Sequence, residues 1–511
     1  MSGRPGRGAN VAEFLGHRLG DGTAPAEAPP APRRVPTGTD LTPLQRLEAL
    51  CDPGSLRVIR SQVLSPALGP KAAPGDGVVA GLGSVDGRPV ACFAEDQKLL
   101  GGSLGQRHAD SIVRLLEMAG DARIPVVGFV ASAGARLQEG LEALAGYGRI
   151  FAALTHLSGQ VPLISVLCGT SAGGGAYAPA LTDVTIMTRG SAMFLTGPGV
   201  VRDVTGEDVD AQDLGGVDVQ ERNGVCHMVA EDDAGAIDLA QQLLAILPSN
   251  SGEEPPRARP VPPPAFDPSA FVPDVPRKPY DVRDVAAAIV DGGHLLEIAP
   301  KWAPSVVCAF ARIDGRSVGI VANQPKWMAG TLDAESAQKS ARFVRWCHLF
   351  GVPLVVLVDT PGFMPGSEQE SGAVIRHGAK LVHAFAEAEV PKITVVLRKA
   401  FGGAQIAMNS KALGATLVLA WPSAQIGVMG AEQAVGITGR REIAAAEDPV
   451  ARKAELAAEY AAEHLSAAGA AQIGVVDEVI DPATTRDRLV WALSMLRRPT
   501  RGEHRARNVP L

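Results

Sequence analysis

The feature that most constrains this chain is that its second half repeats its first at a nearly fixed distance. Asp86-Gly87-Arg88 returns 228 positions on as Asp314-Gly315-Arg316. Gly102-Ser103-Leu104 returns as Gly330-Thr331-Leu332, and Ile124-Pro125-Val126-Val127 as Val352-Pro353-Leu354-Val355, both again 228 positions on. Val161-Pro162-Leu163-Ile164-Ser165-Val166 returns as Val390-Pro391-Lys392-Ile393-Thr394-Val395 at 229, one inserted residue across four blocks. Unrelated α/β domains share Pro-started strands but no constant offset. The 511 residues are too many for one ordinary core, and the repeat divides them into two copies of one domain.

Each copy reads alike. A hairpin-like start (Val90–Phe93; Val318–Val321) precedes a helix (about His108–Ala119; Ser336–Leu349) and a buried strand (Val126–Val130; Leu354–Val358). A Gly-containing loop, a helix, another buried strand and a second, Gly-rich loop follow. Short β-rich strands alternating with helices predict an α/β fold with covered sheets. Gly81-Leu82-Gly83-Ser84-Val85-Asp86-Gly87 has the spacing GxGxxxG and leads into a strand, so it predicts a hairpin turn rather than a dinucleotide loop. There is no G-x-x-x-x-G-K-[ST] run, hence no P-loop.

The second Gly-rich loops carry the chemistry. Strand Val161–Cys168 enters Gly169-Thr170-Ser171-Ala172-Gly173-Gly174-Gly175-Ala176, and strand Ile393–Leu397 enters Arg398-Lys399-Ala400-Phe401-Gly402-Gly403-Ala404. Strand, glycines, helix leaves free N–H groups at a helix start, open to a ligand oxygen because no Cβ stands in the way. One such donor on a developing oxyanion contributes roughly 2.7–4 kcal/mol. Close helix–strand packing explains one such loop equally well; two at matching positions favour two oxyanion holes. Gly169-Thr170-Ser171-Ala172-Gly173 also fits the G-x-S-x-G nucleophile elbow. Against a Ser171 nucleophile, the second loop has Ala400 opposite Ser171, and only scattered His227 and His294 follow as partners.

Glycine is abundant, 57 residues, while aromatics are 4% and hydrophobic residues 46%, so the core must be aliphatic with backbones close together. A net charge of −7 argues against a general nucleic-acid binder. No apolar run approaches the ~18 residues of a membrane span. Met1–Gly20 has no apolar signal region, so the expected location is cytoplasmic. Cys51, Cys92, Cys168, Cys226, Cys308 and Cys347 form no CxxC pair; reduced, mostly buried thiols and no metal site are expected. Residues 1–40, rich in Gly, Pro, Ala and Arg, are expected to be a loose arm. Ten prolines between Pro255 and Pro279 predict an extended linker, residues 251–279, between domains of 41–250 and 280–495, with a tail of 496–511.

At residues 41–495 the chain resembles the carboxyltransferase (β) subunits of biotin-dependent acyl-CoA carboxylases, of acetyl-CoA and propionyl-CoA type. The resemblance rests on Pro74–Val79, Phe93-Ala94-Glu95-Asp96, Gly101–Gly105, Gly134-Ala135-Arg136-Leu137-Gln138-Glu139-Gly140, and Ala172-Gly173-Gly174 with Tyr177 and Pro179. The second half adds Val321-Ala322-Asn323-Gln324-Pro325, Asp359-Thr360-Pro361-Gly362-Phe363, Arg398–Ala404 and Ala420-Trp421-Pro422; Arg507–Leu511 looks like the family's terminus.

What the resemblance implies is a tandem pair of ClpP/crotonase-like domains, usually assembled as a trimer of dimers with active sites between subunits. The implied reaction moves a carboxyl group from N1-carboxybiotin to the α-carbon of an acyl-CoA. The chain has no Met-Lys-Met biotinylation motif and no ATP loop, so a separate biotin carboxylase/carrier subunit is the implied partner. By the resemblance, Gly173 and Gly174 hold the thioester enolate oxygen, and Gly403 and Ala404 the biotin ureido oxygen. Phe401, Gly402 and Ile406 are then expected on the biotin and acyl pocket, and Gly134, Ala135 and Arg136 on the CoA side. Arg136, Arg440-Arg441 and Arg497-Arg498 are candidates for CoA phosphates, though such pairs also form ordinary solvated faces. There are departures: Ala131-Ser132-Ala133-Gly134 stands where the family often has Asp-Ser-Gly-Gly, Lys326-Trp327-Met328 where it usually has Met-Gln-Phe, and Gln405 where it often has Tyr. They open the substrate to a bulkier or more polar acyl group. The same site run as a decarboxylase or transcarboxylase, and a non-catalytic paralogue that assembles carboxylases, are the alternatives.

Overall fold

Two Asp-Gly turns set the frame. Asp86 and Gly87 have φ of 50° and 73°, and Asp314 and Gly315 of 53° and 71°. Positive φ at both central residues is what a two-residue type I′ hairpin needs, and Asp-Gly supplies it at least cost. The computed structural model describes residues 41–264, 267–275 and 277–496, which lie in one compact unit. The arm of residues 1–40, the Arg497-Arg498 pair and the Arg507–Leu511 end lie outside the described residues.

In the first half the strands are β1 (Arg57–Ile59), β2 (Val78–Val85), β3 (Arg88–Glu95), β4 (Val126–Val130), β5 (Leu163–Leu167), β6 (Thr170–Ala172), β7 (Val184–Thr188), β8 (Ala192–Phe194) and β9 (Met228–Ala230). The main sheet runs β1-β2-β3-β4-β5-β7-β9, with β6 and β8 paired apart. The second half has β10 (Leu296–Ile298), β11 (Val306–Ile313), β12 (Arg316–Asn323), β13 (Leu354–Thr360), β14 (Lys392–Phe401), β15 (Leu417–Ala420), β16 (Gln425–Gly427) and β17 (Glu478–Val479). Its sheet runs β10-β11-β12-β13-β14-β15-β17, with β16 on the far end of β14. In both copies the first three strands are antiparallel and the later ones parallel.

Helices cover the sheets: α1 (Gln106–Ala122), α2 (Leu141–Leu157) and α3 (Gly174–Ala180), then α4 (Ala334–Leu349), α5 (Val374–Glu387) and α6 (Gly402–Ala407). Ile112, Leu115, Leu116 and Ala119 of α1, at helical spacing, bury one face with Ile150 and Leu154 of α2. The parallel strands are buried on both faces, which accounts for runs such as Leu354–Val358 without polar alternation. The second core is likewise mostly Val, Ile, Leu and Ala, with Trp421 its largest ring. Each such side chain contributes about 1.5–3 kcal/mol when fully buried.

The Pro-rich connection is docked on the second half, and Pro268–Phe271 within it form a short 3-10 helix. The Ala258 N–H donates to the Gly315 carbonyl (2.9 Å) and Arg312 reaches the Pro256 carbonyl (2.9 Å). Arginines join the halves directly: buried Arg342 on α4 donates to the Asp183 and Thr182 carbonyls at 2.9 and 3.0 Å. None of the six cysteines is in a disulfide; five are buried and Cys168 is half-buried.

Candidate active site

Both Gly loops turn from strand to helix through one left-handed residue: Gly173 has φ +56° and Gly402 φ +61°. A side chain is strained there, so glycine is required. The strand pairings fix the correspondence. Thr170 pairs Ala192 as Lys399 pairs Gln425, and Ala172 pairs Phe194 as Phe401 pairs Gly427. Gly173 therefore matches Gly402, Gly174 matches Gly403, and Gly175 matches Ala404.

This register corrects one expectation. The Gly173 N–H is committed to the Phe194 carbonyl (3.2 Å), so it is not an open donor. The first-half residues equivalent to Gly403 and Ala404 are Gly174 and Gly175, in the first turn of α3, where N–H groups have no intrahelical acceptor. The offset of 229 sets Gly175 opposite Ala404.

Around the first loop the packing is tight. A Cβ on Gly174 would stand 2.5 Å from the Tyr147 ring, and one on Gly175 3.1 Å from Ser132 Cβ. The Tyr147 hydroxyl and Ser132 Oγ are 3.0 Å apart, and Ser132 Oγ donates to the Gly102 carbonyl (2.8 Å). Burial, and then the nearby Glu95 carboxylate, push the Tyr147 hydroxyl well above its ordinary pKa, so it stays protonated. A small, mostly apolar cavity lies beside Gly175, with Tyr147, Glu95, Ser165 and Thr182 as the polar part of its lining.

Gly134 and Ala135 form the neighbouring edge. The Gly134 carbonyl accepts the Leu104 N–H and the Arg136 N–H donates to the Leu104 carbonyl, both at 2.9 Å. Arg136, expected near CoA phosphates, points the other way. It is fully buried, with Nη1 2.7 Å from Asp76 Oδ1 and 2.8 Å from Glu139 Oε1, and Nη2 3.0 Å from the Ser103 carbonyl. Its Nη1 is spent on two buried carboxylates and its Nη2 on main-chain carbonyls, and the whole side chain is buried, so it braces the loop and does not face a ligand. Burial pulls the Glu139 carboxyl upward, but the Gln106 N–H, Ser65 and Arg136 outweigh it and hold the group below its ordinary value.

The second loop is more open and more cationic. A Cβ on Gly403 would meet only the Phe363 ring, at 3.8 Å. Phe401 and Ala404 are buried, whereas Ile406 is 48% exposed; its repeat partner Tyr177 is 52% exposed. An apolar side chain thus edges both loops. Lys399 is half-buried, and desolvation lowers its pKa against the pull of Asp359. Arg440 and Arg441 are exposed on a short helix. Ser171 is fully buried in β6 and its hydroxyl has no partner. A nucleophile has to be reachable, so the elbow motif is a coincidence of glycines.

A duplicated α/β fold with side-chain-free donors at the same place in each copy defines a crotonase-like carboxyltransferase. The chain belongs to the carboxyl transferase family: the carboxyl transferase domain model matches residues 35–509. It is 47% identical over 445 residues to the carboxyltransferase subunit of propionyl-CoA carboxylase from Haloferax mediterranei, covering 86% of each chain. It is 47% identical over 480 residues to the methylmalonyl-CoA carboxyltransferase 12S subunit of Propionibacterium freudenreichii subsp. shermanii, covering 92% of this chain and 91% of that one. A crystal structure of transcarboxylase 12S, a hexamer with methylmalonyl-CoA and methylmalonic acid bound, superposes with a TM-score of 0.87 over 92% of each chain at 47% identity. Among the described residues no helix is long and apolar enough to cross a membrane.

Proposed function

We propose that the chain transfers a carboxyl group between biotin, carried on a separate subunit, and the α-carbon of a short acyl-CoA. The observation that carries this is the pair of equivalent loops, each with main-chain donors and no side chain over them. Gly174 and Gly175 hold the thioester oxygen as the acyl group becomes an enolate. Gly403 and Ala404 hold the ureido oxygen of the biotin ring. The residues present fit such a ring, because Gly403 leaves its approach open where a Cβ would already lie against Phe363. When bound, biotin brings the carboxyl group and a ring nitrogen able to take up the α-proton, so no protein general base is needed. The chain's own part is to bind both groups and to supply donors where negative charge develops.

Ile406 borders the acyl group in this reading. The relatives support a homo-hexamer, and the need for CoA thioesters and an ATP-dependent partner favours a cytoplasmic location. Transfer in the reverse sense, from a carboxylated acyl-CoA to biotin, uses the same geometry; the likeness to transcarboxylase 12S favours keeping that second reading.

The test is reconstitution with a biotinylated carboxylase subunit, ATP and labelled bicarbonate. Label should enter a short acyl-CoA with both subunits present and not with this chain alone. No label in any of a panel of short acyl-CoAs, together with no transfer from methylmalonyl-CoA to free biotin, would overturn the reading.

A further inference from the structure

Beneath the second loop lies a buried polar hub built on positions that are Ala131 and Gly169 in the first half. Asp359, near the end of β13, is fully buried. Its Oδ2 accepts from the Tyr280 hydroxyl (2.9 Å) and from Arg398 Nε (3.0 Å). Arg398 Nη1 donates to the Lys278 carbonyl (3.0 Å) and more weakly to that of Val275 (3.4 Å), and the guanidinium lies 5.0 Å over the Tyr280 ring. The Asp359 N–H faces Asn323 Oδ1 (3.3 Å), whose amide donates to the Gly330 carbonyl (3.1 Å). Arg398 sits on β14, four residues before Gly402, and across the pairing register Thr360 meets Ala400 at a shift after Val358. The corresponding first-half residues are Ala131 and Gly169, neither able to make such contacts. There the strand breaks, β5 ending at Leu167 and β6 starting at Thr170, whereas β14 runs unbroken to Phe401.

A buried charge needs its partners in one fixed geometry, so a hub of this kind fixes the backbone that carries it. We propose that Asp359, Arg398 and Tyr280 are positioning residues for the second loop. They lock the end of β14 so that the Gly403 and Ala404 N–H groups stay aimed at the biotin-side ligand. The proposal rests on the reading given under Proposed function. It predicts that the hub serves one half-site only.

The experiment uses the full chain with its biotinylated partner, varying carboxylated carrier and acyl-CoA separately. Tyr280→Phe removes one hydroxyl and keeps the ring under Arg398. It should lower the melting temperature by only a few degrees and keep the oligomer, while lowering kcat and raising KM for the carrier, by roughly tenfold in kcat/KM, the usual weight of one hydrogen bond to a charge. Asp359→Asn should do the same more strongly, roughly 10–100-fold. KM for the acyl-CoA should not move in either. A purely structural hub would instead lower the melting temperature and the active fraction with both KM values intact, and that result overturns the proposal, as does a change confined to the acyl-CoA term. Should Asp359→Asn fail to fold, Tyr280→Phe decides alone. A wild-type protein that transfers nothing overturns the functional reading and this proposal together. A wild-type protein that transfers while both variants match it overturns the proposal alone.

Discussion

The two Gly loops share a backbone and differ in almost everything beneath it. Each has a glycine with φ near +60°, a strand pairing on the same relative residues, and a helix opening with unfilled donors. Under the first, the Ala131 N–H meets Glu95 Oε2 (2.8 Å) and the bracing cation is Arg136, one turn beyond the strand. Under the second, Asn323 stands where Glu95 would be, and the bracing cation is Arg398 inside the strand itself. Gly169-Thr170 against Arg398-Lys399 makes one loop neutral and the other cationic. What the duplication kept is the donor geometry, because main-chain N–H groups do the same work on any oxyanion. What diverged is the support, which suits two loops that meet chemically different ligands.

The largest effect expected is at Arg136. Arg136→Met leaves Asp76 and Glu139 buried without their cation, which costs about 3–5 kcal/mol. Urea unfolding should show that loss, while KM for acyl-CoA in the folded fraction stays at the wild-type value. A stable Arg136→Met protein with weakened acyl-CoA binding would return Arg136 to the ligand and undo the contrast with Arg398. The cluster also gives a pH dependence. Glu139 is held below its ordinary pKa, so its contribution to stability is full above the unfolded-state value and is lost as pH falls through the lower native value.

Next in size is a steric contrast. Gly174→Ala drives a methyl into the Tyr147 ring, while Gly403→Ala meets only Phe363 at ordinary contact distance. Gly174→Ala should therefore lower carboxyl transfer by roughly 100-fold through misplaced donors. Gly403→Ala should leave the loop's backbone in place and change acyl-CoA KM not at all. The readout is kcat/KM for each substrate, with circular dichroism as the check on folding. Equal losses in the two variants would mean that the loops are supported alike.

Most of the frame was legible in the sequence because it depends on local signals. Asp-Gly turns, Pro-started aliphatic strands and paired glycines each act within a few residues, and a constant offset links one copy to the other. What escaped were contacts between residues far apart in sequence. Arg136 was read by its charge, but its fate was decided by Asp76, 60 positions earlier. The bond from the Gly173 N–H to the Phe194 carbonyl was hidden for a similar reason. Which N–H of a Gly run is open depends on whether a strand lies beside it, and β8 begins only at Ala192. The second hub was hidden because Tyr280 and Asp359, which meet in it, stand 79 positions apart.

The smallest effect expected is at Ser171, where the two copies differ by one hydroxyl. Its Oγ is fully buried without a partner, and the second copy has Ala400 at that place. Removing an unsatisfied buried hydroxyl relieves a desolvation cost, so Ser171→Ala should leave transfer unchanged and raise stability by up to about 1 kcal/mol. A fluorophosphonate probe should leave the wild-type serine unlabelled. Labelling at Ser171, with transfer abolished in Ser171→Ala, would make the first loop a nucleophile elbow after all. The two loops would then have parted in chemistry and not only in support. An unchanged rate ties both loops to the one property they share, main-chain donors that no side chain obstructs.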